Sequence, residues 1–107
     1  MTDPGKLNRR LVLEAPVESA DGAGGVTQSF ETAATLWAQV LPVSARASLD
    51  ADHAGAAISH RIVIRHRGGL TTRHRLREGE RVYRIVSLRE QDDTRRFIEI
   101  AAQERVD

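Results

Sequence analysis

The sequence has 107 residues, no cysteine and a formal net charge of +1. This length suits one small domain with a thin core, and the lack of cysteine excludes a disulfide framework, a thiolate zinc site and a cysteine nucleophile. No apolar run approaches membrane-spanning length, and the N-terminus lacks the apolar region of a signal peptide. We therefore expect a soluble protein of a reducing compartment.

Short apolar segments predict three β-strands in the first half of the chain, at 11–16, 26–31 and 35–43. Between the first two lie Asp21-Gly22 and Gly24-Gly25, which tolerate positive φ, so we expect a hairpin tip there. Segment 35–43 is apolar at odd and even positions alike, which predicts either a buried strand or a strand with a bulge. Pro42 marks an edge position or the end of that strand.

The segment 44–57 breaks the strand pattern, because it is rich in Ala, Asp and Ser and poor in β-branched residues. A turn of helix fits its composition, but Gly55 and the lack of an apolar stripe favour a mobile loop. A loop this long in a small domain is often functional.

The second half predicts four further strands, at 59–67, 70–77, 81–88 and 96–104, separated by turns at Gly68-Gly69, 78–80 and 89–95. In the first of them, isoleucines occupy one parity and arginines the other. Since 26–31 and 70–77 are the weaker signals, about six strands with regular turns are expected, which predicts a mainly all-β fold, a small antiparallel β-barrel or sandwich. We expect residues 1–107 to form a single domain, with 44–57 as a long inserted loop that has room for a short helix.

The strand parity and the β-propensity of the large apolar side chains predict which of them form the core. The residues expected to face the interior are Trp37, Ile62, Ile64, Tyr83, Ile85, Ile98 and Ile100.

Basic residues are concentrated in 58–86, which carries eight arginines and two glutamates, whereas the segments before and after it are net acidic. Arginines that alternate along a strand are typical of a solvated face, with their stems lying on apolar neighbours. Contact with nucleic-acid phosphates by charge alone is the other interpretation. Single-strand binders interleave basic groups with stacking aromatics, and Tyr83 is the only aromatic residue in this tract, which disfavours sequence-specific binding.

Residues able to carry catalysis or to bind a metal are not arranged for either purpose. The four histidines, His53, His60, His66 and His74, lack the spacing of a helical zinc motif. The acidic pairs Asp50/Asp52 and Asp92/Asp93 lie in turn-like stretches, and neither a Gly-x-Ser-x-Gly elbow nor a phosphate-binding glycine loop occurs. The sequence therefore predicts no catalytic residue, no metal and no cofactor.

An ordered set of motifs covers positions 7 to 104: the strand "NRRLVLEAP", the "DGAGG" turn, the aromatic of "SFE", "LWAQVLPVSA", the arginine-bearing "HRIVIRHRGGLTTRHRLREGERVYRIVSL" and the final "FIEIAAQE". This set resembles the phage head–tail joining family, the head-closure or stopper proteins of long-tailed phages and related gene transfer agents. Phe30 stands where the family more often has tryptophan. Segment 44–57 matches by position alone.

The resemblance implies a structural protein, not an enzyme, that forms a ring, commonly a hexamer, at the neck of a virion or phage-like particle. Its partners would be the portal–adaptor ring above and the tail terminator or tail tube below, with DNA passing through the channel without sequence-specific binding and with no membrane contact. Before assembly it would lie in the host cytoplasm. A monomeric OB-like nucleic-acid-binding module is the alternative.

The resemblance also implies two sets of site residues. The inserted loop would project toward the channel and could plug it, with Ser44, Arg46, Ser48, Leu49, Asp50, Asp52 and His53 as its candidate residues. The subunit or partner interface would pair basic with acidic groups, for which the candidates are Arg61, Arg65, Arg67, Arg73, Arg75, Arg77, Glu14, Glu18, Glu31, Asp92 and Asp93.

Overall fold

The computed structural model describes residues 4–43, 58–90 and 96–105. A short 3₁₀ turn, Pro4–Lys6, precedes the strands β1 (Arg9–Ala20), β2 (Val26–Pro42), β3 (His60–Arg65), β4 (Arg75–Glu78), β5 (Arg81–Glu90) and β6 (Phe97–Arg105). The strands pair antiparallel in the order β1-β2-β3-β6-β5-β4 and close into a barrel, since β4 also pairs with β1. The prediction of a small antiparallel barrel is confirmed. The predicted loop 44–57, with its helical turn, and the turn residues 91–95 lie outside the described residues.

The two strands predicted at 26–31 and 35–43 are one continuous strand of 17 residues. The C-terminal end of β2 pairs with β3 from Ala38 to Pro42. The rest of the strand pairs with β1, from Ala38 back to its first residue, Val26. Among the described residues, β1 contacts β4 only at 12–14. Residues 15–20 and 26–33 therefore form a two-stranded ribbon that extends beyond the barrel, consistent with overall dimensions of 49 × 30 × 27 Å.

β4 is shorter than the strand predicted at 70–77, because residues 70–74 belong to a connection that spans 66–74. Within this connection the His74 backbone N–H donates to the Thr71 carbonyl at 3.2 Å, and Gly69 has a φ of 79°. Arg73 consequently lies in a turn just before β4.

The interior of the barrel is filled by side chains of all six strands: Leu11, Leu13, Ala38, Ile62, Ile64, Leu76, Tyr83, Ile85, Ile98, Ile100 and Ala102. Six of the seven predicted core residues are in this set. A smaller cluster on the outer face packs Leu7, from the segment before β1, against Val63 and Phe97.

The prediction that Trp37 belongs to the core is wrong, because its side chain is 54% exposed. In β2 the even positions Leu36, Ala38 and Val40 contact the core, so Trp37 points outward. The sequence of segment 35–43 could not show which side chains point inward, since its odd and even positions are both apolar. Ala38 is fully buried in the same cluster as the large ring of Tyr83, and its small side chain suits a crowded barrel interior.

In the part of the chain that the structure describes, there is no helix long and apolar enough to cross a membrane.

Candidate assembly surfaces

A buried carboxylate joins the base of the ribbon to β4. The side chain of Glu14 is 5% exposed, and its Oε1 accepts a hydrogen bond from Arg75 Nε at 2.6 Å, while Arg77 Nη1 lies 3.4 Å from its Oε2. The register places Glu14 directly opposite Arg75. Both oxygens thus face guanidinium groups, which offsets the cost of burying the charge.

The same contact continues outward along the ribbon. Arg73 Nη2 donates to Glu18 Oε1 at 2.6 Å, on an exposed part of the surface. The guanidinium carbon of Arg75 lies 3.9 Å from the centroid of the Phe30 ring, within cation–π range. Arginines of the connection and of β4 therefore hold one face of the ribbon against the barrel.

Several residues predicted for the interface form ion pairs within the chain. Glu14 was expected to meet a neighbouring subunit, but it is buried and neutralised within its own chain. Glu18 is paired with Arg73, and Arg61 is paired with Glu99 at 2.8 Å, which Arg89 also contacts at 3.1 Å. Strand parity places these side chains outside the barrel, yet it carries no information on opposite charges of the same chain that lie 38 to 63 residues away.

The remaining predicted interface residues divide into two groups. Among the described residues, Arg65, Arg67 and Glu31 form no ion pair, and Arg65 and Glu31 are exposed. Asp92 and Asp93 lie outside the described residues, as do all seven candidates of the loop 44–57.

A basic face covers the outside of β4, β5 and β6. Arg75 and Arg84 stand directly opposite each other in the β4–β5 ladder, an arrangement that is destabilising for like charges. Among the described residues, neither Arg84 nor Arg105 forms an ion pair. With neighbouring residues they line a depression of about 190 Å³: Gln28, Phe30, Thr72, Arg73, His74, Arg75, Val82, Arg84 and Arg105. This face favours an anionic partner.

A second ion pair closes the barrel beside the β4–β5 turn. Arg9 Nε donates to Glu78 Oε2 at 2.8 Å, and Arg9 Nη2 donates to the other oxygen of the same carboxylate. These hydrogen bonds hold the pKa of the Glu78 carboxyl below its usual value, and they raise the pKa of Arg9. The bidentate geometry fixes the start of β1 against the end of β4.

Trp37 forms part of an open depression of about 380 Å³, which Leu7, Asn8 and Arg65 complete. The guanidinium carbon of Arg10 lies 5.0 Å from the indole centroid, and the two residues are register partners in β1 and β2. We call Leu7, Asn8, Arg10, Trp37 and Arg65 the tryptophan patch. It combines an exposed aromatic surface with two cations.

The ribbon ends in a five-residue tip at 21–25. The Asp21 carboxylate accepts hydrogen bonds from the backbone N–H groups of Ala23 at 2.7 Å and Gly25 at 3.0 Å, which lower its pKa. Gly22 and Gly24 have φ values of 81° and 85°, as the two predicted turn dipeptides require. The tip therefore has a defined shape and a persistent negative charge.

The described histidines make local contacts. His74 Nδ1 lies 3.0 Å from Thr71 Oγ1, His60 Nδ1 lies 2.9 Å from Ser59 Oγ, and His66 Nε2 lies 3.6 Å from Glu90 Oε1. No group of three or more His, Cys, Asp or Glu residues within the described ranges is arranged to hold a metal ion.

Comparison with known families identifies the relatives of this barrel. The family model of the phage head completion protein matches residues 2–105. The chain belongs to the phage head completion protein family. A search of curated proteins found no match. The resemblance to head–tail joining proteins is thereby confirmed at the level of the family.

Two solved structures share the fold of this head completion family member. A chain in the virion of a native gene transfer agent particle is 30% identical, with a TM-score of 0.69 over 94% of this chain and 96% of that one. Protein SF1141 of Shigella flexneri 2a, solved in solution, is 27% identical, with a TM-score of 0.76 over 96% of each chain.

In this family member the tryptophan patch was not predicted from the sequence, apart from Arg65 as an interface candidate. The signal available was the segment 35–43, which is apolar on both parities although a barrel strand buries only one of its faces. An aromatic residue at the positions that face out of the barrel is then a candidate for contact with another protein.

Proposed function

We propose that this protein is a structural component of a virion or phage-like particle and that it completes the DNA-filled head. The observation that carries this proposal is the match of the head completion family over residues 2–105. The relative that is 30% identical over 94% of this chain is itself part of a gene transfer agent virion, which supports the same role. The role is one of binding and closure, without catalysis.

In the finer form of the proposal, copies of the chain form a ring, commonly of six, between the portal–adaptor ring and the tail. The basic face around Arg84 and Arg105 supplies an unneutralised surface suited to an acidic partner ring. Charge pairs across such a surface set register and partner choice more than affinity. We propose the segment 44–57 as the channel loop. The side of the protein that carries this loop would then face the DNA, while the basic face would meet a neighbouring ring.

The alternative of a monomeric nucleic-acid-binding module has less support. Tyr83, the only aromatic residue of the arginine tract, is fully buried in the core. Phe30 is covered by the guanidinium of Arg75. Trp37 is then the one mostly exposed large aromatic ring among the described residues, whereas single-strand binders stack successive bases on several such rings.

Deletion of the gene and complementation in a particle-producing strain tests the proposed function. Without the protein, DNA-filled heads and free tails should accumulate separately in electron micrographs, and the wild-type gene should restore joined particles. Cryo-electron microscopy of those particles would show whether the protein forms a ring at the neck. Joined, infectious or gene-transferring particles made in the absence of the protein would contradict the proposal.

The channel loop has a test of its own. Removal of residues 49–56 should leave a folded protein that still enters particles, and filled heads should then lose DNA before the tail attaches. Heads that retain their DNA normally with the shortened protein would contradict the gating role and leave head completion itself untouched.

A further inference from the structure

Among the described residues, three large apolar side chains of β2 are exposed, and two of them, Val26 and Trp37, stand at separate places on the strand. Val26, at the start of β2 beside the ribbon tip, is 64% exposed, and Trp37, where β2 joins the barrel, is 54% exposed. A large aromatic exposed to this extent, beside a depression that its neighbours line, is a frequent anchor of protein contacts. Within the described part of the chain both side chains stay largely exposed, although the Arg10 guanidinium lies over the indole of Trp37.

The two places carry opposite charges. In the tryptophan patch, Arg10 lies over the indole and Arg65 forms no ion pair with any described residue. The segment 14–31, in contrast, contains four acidic residues and no basic residue. Glu14 and Glu18 are neutralised by arginines of 73–77, which leaves Asp21 and Glu31 as the acidic groups of the ribbon without an ion pair among the described residues.

The shape of the chain prevents these two surfaces from meeting within one molecule. Trp37 follows Val26 by eleven positions of one continuous strand. At roughly 3.3 Å per residue this corresponds to about 36 Å. The contacts of Arg73 and Arg75 with one face of the ribbon hold it in this position. A contact between tip and patch therefore requires two copies.

We infer that the ribbon tip of one copy docks on the tryptophan patch of a second copy. Val26 would lie against the indole of Trp37, while the Asp21 carboxylate would approach Arg10 or Arg65. Two different surfaces meet in this contact, so it is heterologous, and repeated around an axis it closes a ring. The inference rests on the proposed assembly and deepens it, because it names the surfaces by which neighbouring copies recognise each other.

The absence of cysteine from the chain permits a direct crosslinking test. In a Val26→Cys, Asn8→Cys double variant, one thiol lies at the tip and the other in the patch, and both native side chains are exposed. Joined particles carrying this variant should give a ladder of multimers with a short bismaleimide. The matched control pairs Val26→Cys with Ser87→Cys, which is exposed in a different depression of the barrel. It should give no ladder.

Trp37→Ala provides a second measurement that needs no crosslinker. Because this side chain lies outside the core, the variant should fold, yet joined particles should fall by about tenfold or more, as for a central interface aromatic. Leu41→Ala, another exposed apolar residue of β2 outside the patch, should join heads to tails at the wild-type level.

The outcomes separate the inference from the proposed function. If the protein is present in particles, but the tip–patch pair gives no ladder and Trp37→Ala joins normally, the docking inference is wrong and head completion stands. If the wild-type protein is absent from particles, head completion itself is wrong. A ladder from the tip–patch pair alone, with impaired joining by Trp37→Ala, supports both.

Discussion

Loss of the arginines around Glu14 should destabilise the protein more than loss of Glu14 itself. The Glu14 side chain is 5% exposed, whereas those of Arg75 and Arg77 are 32% and 43% exposed. Replacing both arginines by methionine keeps the apolar stems but leaves a buried carboxylate without its two cations, which costs about 3–5 kcal/mol. In Glu14→Gln the two guanidinium groups can turn to water, so the loss should be about 1–2 kcal/mol.

The triple variant Glu14→Gln, Arg75→Met, Arg77→Met makes this prediction sharp. It carries one substitution more than the double variant, yet it should be more stable by about 1–3 kcal/mol, because the buried charge has been removed. For a domain of this length the total stability is about 5–15 kcal/mol, so the expected losses are a large and measurable part of it.

Urea denaturation followed by far-ultraviolet circular dichroism gives the free energies of unfolding, and urea leaves the ionic strength unchanged. The slope of the free energy with urea concentration should be the same in all variants, which would show that the stability alone has changed. If Glu14→Gln lowers the free energy of unfolding as much as the double arginine variant or more, the buried carboxylate is not the main source of the destabilisation, and the reasoning is refuted. A triple variant less stable than the double variant would refute it as well.

Three further predictions concern the core, a turn and an ion pair. Trp37→Ala should change the free energy of unfolding by less than about 1 kcal/mol, whereas Leu76→Ala, at a fully buried position, should cost about 2–5 kcal/mol; equal losses in urea denaturation would contradict the outward direction of the indole. Gly79→Ala should cost about 1–2 kcal/mol, because Gly79 has a φ of 60° in a two-residue turn, while Gly68→Ala, with open space and an ordinary φ, should be nearly neutral in the same assay. The pKa of Glu78 is lowered in the folded state by its hydrogen bonds with an arginine, so its contribution to stability is present above the usual carboxyl pKa and is lost as the pH falls through the lowered value; Glu78→Gln should therefore reduce the acid-side slope of stability between about pH 5 and pH 2, and an unchanged slope would contradict the ion pair.

Local signals in the sequence were sufficient for the barrel and for most of its interior. The glycines at 22, 24 and 79 occupy positive-φ positions in turns, and alternating isoleucines in β3 and β6 point inward. The continuity of β2 was beyond such signals, because Thr32 to Ala34 are weakly apolar and their strand pairing depends on β1 alone. The sequence likewise left open whether the Trp37 side chain points into or out of the barrel. Its direction depends on whether the odd or the even positions of β2 fit into the interior of the closed barrel.

The pairing of the charges needed the three-dimensional structure for a different reason. Glu14 and Arg75 are 61 residues apart, and their contact follows from closure of the barrel between β1 and β4, a pairing that neither strand reveals by its own composition. Alternation predicted correctly that the arginines lie outside the barrel, but an outward arginine is available to a partner only if no acid of its own chain lies within reach.

Arginines that have no acidic partner in their own chain are the better candidates for contacts in assembly. Arg61, Arg73, Arg75 and Arg77 are engaged with glutamates of the same chain, so a partner would have to displace an existing pair and would gain little from exposed charges. Arg84 stands opposite Arg75 without an acid among the described residues, and an incoming carboxylate would relieve an existing repulsion there. Reversal of Arg84 to Glu should therefore impair the joining of heads to tails more than reversal of Arg61, which already has its acid. Equal effects of the two reversals in a particle-joining assay would show that the intrachain pairs do not determine which arginines meet the partner.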